Sequence, residues 1–448
     1  MTDTIAAISG AAGDSAIGIV RLSGPTAKSI VDRIFVHRAL APREMTYGFV
    51  VDPKTATKID EVMAVFLPAP ATYTREDVVE IYCHGGNISV HRILRILLAE
   101  GARLAEPGEF TLRAFLNGRI DLVQAESVID LVKARTTRSF DSALTQLEGS
   151  LSRGIRELRG RLVWLITEIA VSIDYPEEDV EDVSMDRIRT TVQAAIDELD
   201  QLIRRSASGK LLRDGAKVAI VGKPNVGKSS LMNLLLGESR AIVTDIAGTT
   251  RDTIEEQLSI EGVPIRLIDT AGIRDASDEV ERIGIERAKK AANEADIIVL
   301  VLDLSSELTE EEAMLIEHFS DRPTLVLLNK SDLPRKMNTD RLHELYPSDR
   351  ILETSIKNAE AESYANSVRK LSDVLGTTNL SSDAVTNTRH LALLQKANRS
   401  LHDALQQDTY DLIEIDLRAA IEHLGEITGE SASEDIIRSI FSNFCLGK

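Results

Sequence analysis

The chain has 448 residues, 43% hydrophobic and 27% charged, with a formal net charge of −19; it reads as a soluble, globular protein long enough for roughly three domains. The acidic balance excludes a dominant phosphate-binding surface, which needs clustered Lys and Arg, so any RNA would be met through a local patch or a more basic partner. Two cysteines, Cys83 and Cys445, exclude a disulfide framework and a Cys-only zinc site and point to a reducing, cytoplasmic compartment.

The N-terminus carries an early acid, Asp3, and no basic run, so no secretory signal is expected. Residues 16–22 and 62–67 read as strands and 89–98 as an amphipathic helix, giving a compact α+β domain over 1–120. From 121 to 213 helix formers dominate. Leu144, Leu147, Leu151, Ile155, Leu158 and Leu162 recur at steps of three and four, which predicts one long buried helix face. Between 214 and 378 the apolar strands 217–221, 265–268, 297–302 and 324–328 alternate with helical stretches, the pattern of a parallel sheet covered on both faces. The apolar runs, such as 297–302, are far too short to span a bilayer. Residues 377–388 read as a polar linker. Helical patterning then returns over 379–448, with Leu394, Ala397, Leu401 and Leu405 on one face. Both helical segments have apolar faces that need partners, so they are expected to form one helical domain with the α/β unit inserted into it.

The strongest chemical signal is Gly222-Lys223-Pro224-Asn225-Val226-Gly227-Lys228-Ser229, directly after the strand ending at Val221. It fits G-x-x-x-x-G-K-[ST] in the strand–loop–helix setting the motif requires. Such a loop curls backbone N–H groups around phosphate oxygens, and the helix N-terminus adds its dipole. Lys228 would reach the β- and γ-phosphates, and the Ser229 hydroxyl would ligate Mg²⁺. Asn329-Lys330-Ser331-Asp332 follows the strand 324–328. Asp332 can accept from N1–H and the 2-amino group of guanine, Asn329 can hold the loop and read the base, and the Lys330 stem can cover the ring. Adenine lacks that donor pair and would leave the carboxylate unpaired, so the nucleotide is GTP. Ser355, in the run Glu353-Thr354-Ser355-Ile356, is a weaker candidate for base contacts.

Asp269-Thr270-Ala271-Gly272 fits the D-x-x-G of GTPases, with Asp269 supporting Mg²⁺ through water and the Gly272 N–H sensing the γ-phosphate. Upstream, Thr244-Asp245-Ile246-Ala247-Gly248-Thr249-Thr250 supplies switch-loop residues, with Thr250 as second Mg²⁺ ligand. Ile273 follows Gly272, where Ras-like enzymes carry a glutamine that orients the attacking water. An isoleucine cannot do this, so another water-orienting group and another positive charge are needed. Asp278, Glu279 and Glu281 lie downstream, and the residues alone do not choose among them.

The runs 222–230, 244–252 and 269–287 resemble the G domain of TrmE/MnmE-type tRNA-modification GTPases, within the wider TrmE-Era-EngA-like superfamily. Der-type assembly GTPases share this P-loop and switch, so the flanks decide. "DTIAAI" and "AIGIVRLSGP" near the start, "TYTREDVVEIYCHGG" at 72–86 and "EPGEFTLRAFLNGRIDLVQAE" at 106–126 are similar to the family's N-terminal domain. "IDYPEEDV" at 173–180, "RHLALL" at 389–394 and "IFSNFCLGK" at 440–448 are similar to its helical domain. The resemblance covers essentially the whole chain. It implies a multidomain α/β and α protein: a P-loop GTPase domain (214–378), with a mostly parallel sheet, inserted in a helical domain (121–213 and 379–448) and preceded by an α+β tetrahydrofolate-binding-like domain (1–120).

It also implies that G domains pair across their nucleotides within a homodimer and that K⁺ supplies the missing charge. The K⁺ ligands would be Asn225, Thr244, Ile246 and Thr249. Glu281 would orient the attacking water, beside Lys228 as the other catalytic residue. Val226, Gly227 and Ser230 complete the P-loop contacts to GTP. A folate, 5,10-methylene- or 5-formyl-tetrahydrofolate, would be held by Arg21, Glu80, Arg119 and Lys448; as residues alone, the first three read instead as surface or strand-edge ion-pairing groups. Two positions depart from the family pattern: Arg75 replaces a usual glycine, and Arg119 stands where lysine is common. Cys445 is expected to be a small buried hydrophobe rather than a catalytic thiol. The implied function is 5-carbon modification, of the carboxymethylaminomethyl type, of the tRNA wobble uridine. It would act with an FAD-containing partner of the MnmG/GidA type that carries most of the tRNA contact. The competing readings are a Der- or Era-like assembly factor, against which the acidic C-terminal segment argues, and a folate enzyme carrying a regulatory GTPase.

Overall fold

A computed structural model describes residues 3–10, 15–174, 184–238, 257–268, 292–358, 369–374, 386–444 and 447. The first of its two sheets gathers β1 (Ile5–Ser9), β2 (Ile17–Ser23), β3 (Phe35–Val36), β4 (Thr46–Val51), β5 (Lys58–Leu67), β6 (Val78–His84) and β7 (Arg103–Leu104) in the order β3-β4-β5-β6-β2-β1-β7. All pairs are antiparallel except β1 with β7. Period-two alternation sends Val20, Leu22, Val79 and Ile81 to one face. There they pack with Ile30, Val31 and Ile34 of α1 (Ala27–Ile34) and Val90, Ile93, Leu94 and Leu97 of α2 (Asn87–Ala99). The opposite face carries Arg21 and Glu80.

After α3 (Glu109–Leu116) the chain becomes helical. Asp121 and Gln124 form a reciprocal capping box that starts α4 (Leu122–Lys133). The single helix expected over 144–162 is instead two, α5 (Thr137–Leu147) and α6 (Ser150–Asp174). The chain turns at Gly149, whose φ is +82°, and Leu144 on the near side of the break is exposed. Leu151, Ile155, Leu158 and Leu162 are buried as the spacing predicts. Helix α7 (Met185–Asp214) then leads into the second sheet.

That sheet holds β8 (Ala216–Val221), β9 (Gln257–Ile260), β10 (Val263–Ile268), β11 (Ile297–Asp303), β12 (Thr324–Asn329) and β13 (Ile351–Glu353) in the order β13-β12-β11-β8-β10-β9. Only β9 runs antiparallel. Neighbouring residues of its central strands feed two separate cores: Val218, Ile220, Val299 and Val301 enter one, and Ala219, Val221, Ile298 and Leu300 the other. The helices that follow these strands include α8 (Lys228–Glu238), α9 (Glu310–His318) and α10 (Asp340–Leu345). Both faces are therefore covered, which is why the strands read as continuous apolar runs.

The chain ends in α11 (Thr388–Gln406), α12 (Tyr410–Thr428) and α13 (Glu434–Ser442). Leu394, Ala397 and Leu401 of α11 and Leu417, Ala420 and Leu424 of α12 share one core with Leu158, Leu162 and Ile169 of α6 and Val192, Ile196 and Leu199 of α7. Segments on either side of the second sheet therefore close a single helical body, as the unpartnered faces required. At the C-terminal end, Phe441 and Phe444 pack on Ala114, Ile120 and Leu122, joining α13 to α3 and α4. The expected linker reaches its described residues at Thr386 and Asn387. Both are buried, and the Asn387 side chain accepts from the Arg389 N–H to cap α11. The rest of that stretch, 377–385, and residues 175–180 of the quoted motif lie outside the described residues.

Both crossings between the helical body and the second sheet are fixed to α4. Arg213, in the last turn of α7, pairs with Asp130 at 3.1 Å. On the return side, Arg389 donates to both oxygens of Glu126 (3.1 and 2.8 Å), and buried His390 lies 2.6 Å from the same carboxylate. Burial pushes the Glu126 carboxyl up, but His390 and Arg389 more than offset this and hold it down at about 2. A carboxyl depressed in the folded state stabilises above its unfolded value and loses that contribution as pH falls towards its folded value. Glu126→Gln is therefore expected to lower the thermal midpoint at neutral pH and to flatten the acid limb of stability between about pH 4.5 and pH 2; pH-resolved calorimetry checks both.

Candidate nucleotide-binding site

The described candidates for nucleotide binding converge at the carboxyl ends of the parallel strands, where α/β sheets bind ligands. Gly222 follows β8, Asn329 ends β12, and Ser355 lies just beyond β13. The P-loop backbone is already shaped for an anion. Gly222 has φ +152°, Asn225 +64° and Gly227 +109°. A Cβ at Gly222 would lie 2.3 Å from the Val301 carbonyl, and one at Gly227 2.2 Å from Asn329 Nδ2, so both positions admit only glycine. Lys228 opens α8 and its ammonium donates to the carbonyls of Gly222 and Lys223 at 2.7 and 2.5 Å. Ser229 and Ser230 are exposed in the first turn. Val226 is buried at 4% exposure.

Asn329 ties this loop to the segment that follows β13. Its Nδ2 donates to the Val226 carbonyl at 2.7 Å, and its Oδ1 accepts from the Ile356 N–H at 3.0 Å. With both amide atoms used internally and 4% exposure, Asn329 braces two loops rather than presenting its amide to solvent. Ser355 donates to Asp332 Oδ1 at 2.6 Å, so the weaker candidate is brought against the stronger one. Lys330 has a left-handed φ of +64° and its ammonium lies 2.5 Å from Asp303 Oδ2. Sequence reasoning missed Asp303, although it ends the apolar strand and stands in register with Asn329.

The switch residues Thr244, Asp245, Ile246, Ala247, Gly248, Thr249, Thr250, Asp269, Thr270, Ala271 and Gly272 lie outside the described residues, as do Ile273, Asp278, Glu279 and Glu281. Asn225, the K⁺ candidate in the P-loop, is exposed.

Two of the folate candidates occupy the outer face of the first sheet. Arg21 and Glu80 are directly opposite on β2 and β6, and Arg21 Nε donates to Glu80 Oε1 at 2.8 Å. Glu80 Oε2 accepts from the Tyr82 hydroxyl at 2.6 Å; burial and this carboxylate push the Tyr82 pKa up to about 12. The ion pair is thus present, on two interior strands of the sheet; both Arg21 Nε and Nη2 lie 2.8 Å from Glu80 Oε1, so the lone pair left for a ligand donor is on Oε2. Arg21 sits 5.8 Å from the Phe110 ring and Arg119 4.6 Å from Tyr73, two aromatics of one small cluster with Ile5 and Ala7. The Gly447 carbonyl accepts from Ser9 Oγ at 3.0 Å, so the C-terminal tail reaches β1, next to β2. Lys448 and Cys445 lie outside the described residues. Cys83 is buried, with its thiol pushed up to about 11. Arg75, at the usual glycine position, keeps a left-handed φ of +59° and donates to the Asn117 carbonyl at 2.9 Å. The loop retains the backbone a glycine would adopt.

Family models for the "GTP-binding protein TrmE N-terminus" and the "MnmE helical domain" match residues 4–119 and 122–445. The tRNA modification GTPase MnmE of Alkaliphilus oremlandii is 48% identical over 100% of this chain and 99% of its own length. The chain belongs to the MnmE family of tRNA modification GTPases. The MnmE of Bacillus subtilis is 47% identical over 100% of both chains. Such full-length matches run through both flanks, where a Der- or Era-like factor would diverge. Among solved structures, Aquifex aeolicus Era bound to GDP and aluminium fluoride is 27% identical over 44% of this chain and 69% of its own, with a TM-score of 0.27; the family assignment does not draw on it. No helix among the described residues is long and apolar enough to cross a membrane.

Removing the Asn329 side chain orphans two buried backbone groups, at about 1–3 kcal/mol each. Asn329→Ala is expected to weaken GDP binding by about tenfold or more, measured by calorimetric titration.

Proposed function

We propose that this chain is the GTP-hydrolysing switch of a system that modifies carbon 5 of the tRNA wobble uridine. The observation that carries this reading is the full-length likeness to MnmE, joined to a P-loop and an Asn329–Asp332 segment already braced together in the fold. The modification is of the carboxymethylaminomethyl type, with an FAD-containing partner of the MnmG/GidA kind supplying most of the tRNA-binding surface. That division of labour suits a chain of net charge −19.

In this reading Asn225, Val226, Gly227, Lys228, Ser229 and Ser230 hold the phosphates, and Asp332 with Ser355 reads the guanine edge. Ser229 and Thr250 would hold Mg²⁺, with Asp269 behind them. Asn225, Thr244, Ile246 and Thr249 would form an oxygen cage for K⁺, which when bound supplies the positive charge that an arginine finger supplies elsewhere. Glu281 orients the attacking water, because Ile273 cannot. Two G domains meet across their nucleotides in a homodimer, and hydrolysis changes their separation rather than performing the tRNA chemistry. The domain limits are 1–120, 121–213, 214–378 and 379–448. A tetrahydrofolate is the group these residue types suit: Glu80 for the pterin donor pair, Arg21, Arg119 and Lys448 for the anionic tail, and Tyr73 and Phe110 for apolar contact. The folate, when bound, contributes the one-carbon unit.

Two measurements test the proposal. In cells lacking their own family member, this chain is expected to restore the modified wobble uridine, read by mass spectrometry of digested tRNA, and Lys228→Ala is expected not to; failure of the wild-type chain overturns the reading. GTP hydrolysis in KCl is expected to exceed that in NaCl at matched ionic strength by about tenfold or more, with no turnover of ATP. Equal rates in both salts would remove the K⁺ cage.

A further inference from the structure

Lysine is an unusual choice for the wall of a binding slot. Its side chain is long and flexible, and ordering it costs rotamer freedom. Lys330 nevertheless stands between Asn329 and Ser331, and its ammonium is held 2.5 Å from Asp303 Oδ2. The carboxylate that holds it is itself locked. Its other oxygen accepts from the Ser305 N–H at 2.9 Å and the Ser305 hydroxyl at 2.6 Å. The Leu304 N–H donates to the Asn329 carbonyl at 3.0 Å, and Asp303 pairs with Asn329 across parallel β11 and β12. The turn after β11 is therefore stitched to the segment that carries Lys330. Burial raises the Asp303 carboxyl, but Lys330 and Ser305 more than offset this and leave it below the usual carboxylate range. Asp303 stays ionised at neutral pH.

We propose that Asp303 is a positioning residue of the nucleotide site: it anchors the Lys330 ammonium at the end of β11 so that the Lys330 stem is laid out in advance as a wall of the purine slot. The proposal rests on the reading of Asn329–Asp332 as the guanine-recognition segment. It assigns Asp303 no contact with the nucleotide and no part in hydrolysis. Its contribution is to remove the ordering penalty of a flexible side chain before the base arrives. Stacking along a purine face does not distinguish guanine from hypoxanthine, whereas Asp332 does, because only guanine carries the 2-amino group. Asp303 therefore acts on affinity and leaves base discrimination unchanged.

The test uses the full-length protein with GDP and IDP as probes, titrated against wild type, Asp303→Asn, Lys330→Ala and the double variant. Asp303→Asn is expected to weaken both nucleotides by the same factor, about threefold to tenfold, and to raise the KM for GTP with kcat unchanged. On the Lys330→Ala background it is expected to add nothing, because the anchored group is gone. Additive losses, or a changed GDP-to-IDP ratio, would overturn the proposal. So would full affinity in Asp303→Asn while Lys330→Ala is weakened. If Lys330→Ala alone binds GDP normally, the reading of Lys330 as a wall fails, and the role of Asp303 fails with it. If Asp303→Asn does not fold, Ser305→Ala loosens the same carboxylate by removing one hydroxyl. It is expected to give a smaller loss in the same direction, and unchanged affinity there would overturn the proposal.

Discussion

The nucleotide site depends on one buried amide. Asn329 spends its donor on the Val226 carbonyl and its acceptor on the Ile356 N–H, so the phosphate loop and the segment after β13 share a single brace. A buried amide is stabilising only when both ends are satisfied. Here the geometry leaves no slack, since a single added carbon at Gly227 would collide with it. Phosphate recognition and base recognition are usually described as separate motifs. In this chain the segments that carry the two motifs are mechanically one object, and Lys330, next along the chain, inherits its placement from it.

A second constraint concerns how this object is mounted. The α/β unit leaves and re-enters a helical body whose core needs α6 and α7 from one side and α11 and α12 from the other. Neither half can bury its apolar face alone. The two crossing points are pinned to the same helix, α4, through Arg213–Asp130 and through Arg389 and His390 on Glu126. Displacement of the GTPase unit would therefore be felt at α4. Helix α4 also packs on α13 near the C-terminal tail, and the tail touches β1 beside the Arg21–Glu80 pair.

Much of this was legible in the sequence, for physical reasons. Strands buried on both faces must be apolar throughout, so β8, β11 and β12 were visible with boundaries correct to a residue. The P-loop and Asn329–Asp332 announce themselves because few residue types satisfy their geometry. The insertion followed from two unpartnered apolar stripes. What failed were features set by tertiary contacts. The stripe from Leu144 to Leu162 kept its period across Gly149, and spacing alone does not register a left-handed turn that reorients the next helix. Thr386 and Asn387 looked like linker because they are polar, yet both are buried and Asn387 caps α11. Asp303 was invisible because its role depends on a parallel neighbour 26 positions away in register with it. Arg21 and Glu80 were recognisable as candidates only through resemblance; that they face one another is a matter of strand pairing.

The central claim is that Asn329 holds the phosphate loop and the post-β13 segment together before any nucleotide binds. Amide hydrogen exchange on the nucleotide-free protein tests it most directly. The Ile356 amide is expected to be protected in the wild-type chain. In Asn329→Ala it should exchange at least about tenfold faster, together with amides of residues 222–229. Unchanged exchange at Ile356, or a loss confined to that amide with the phosphate loop unaffected, would contradict the account.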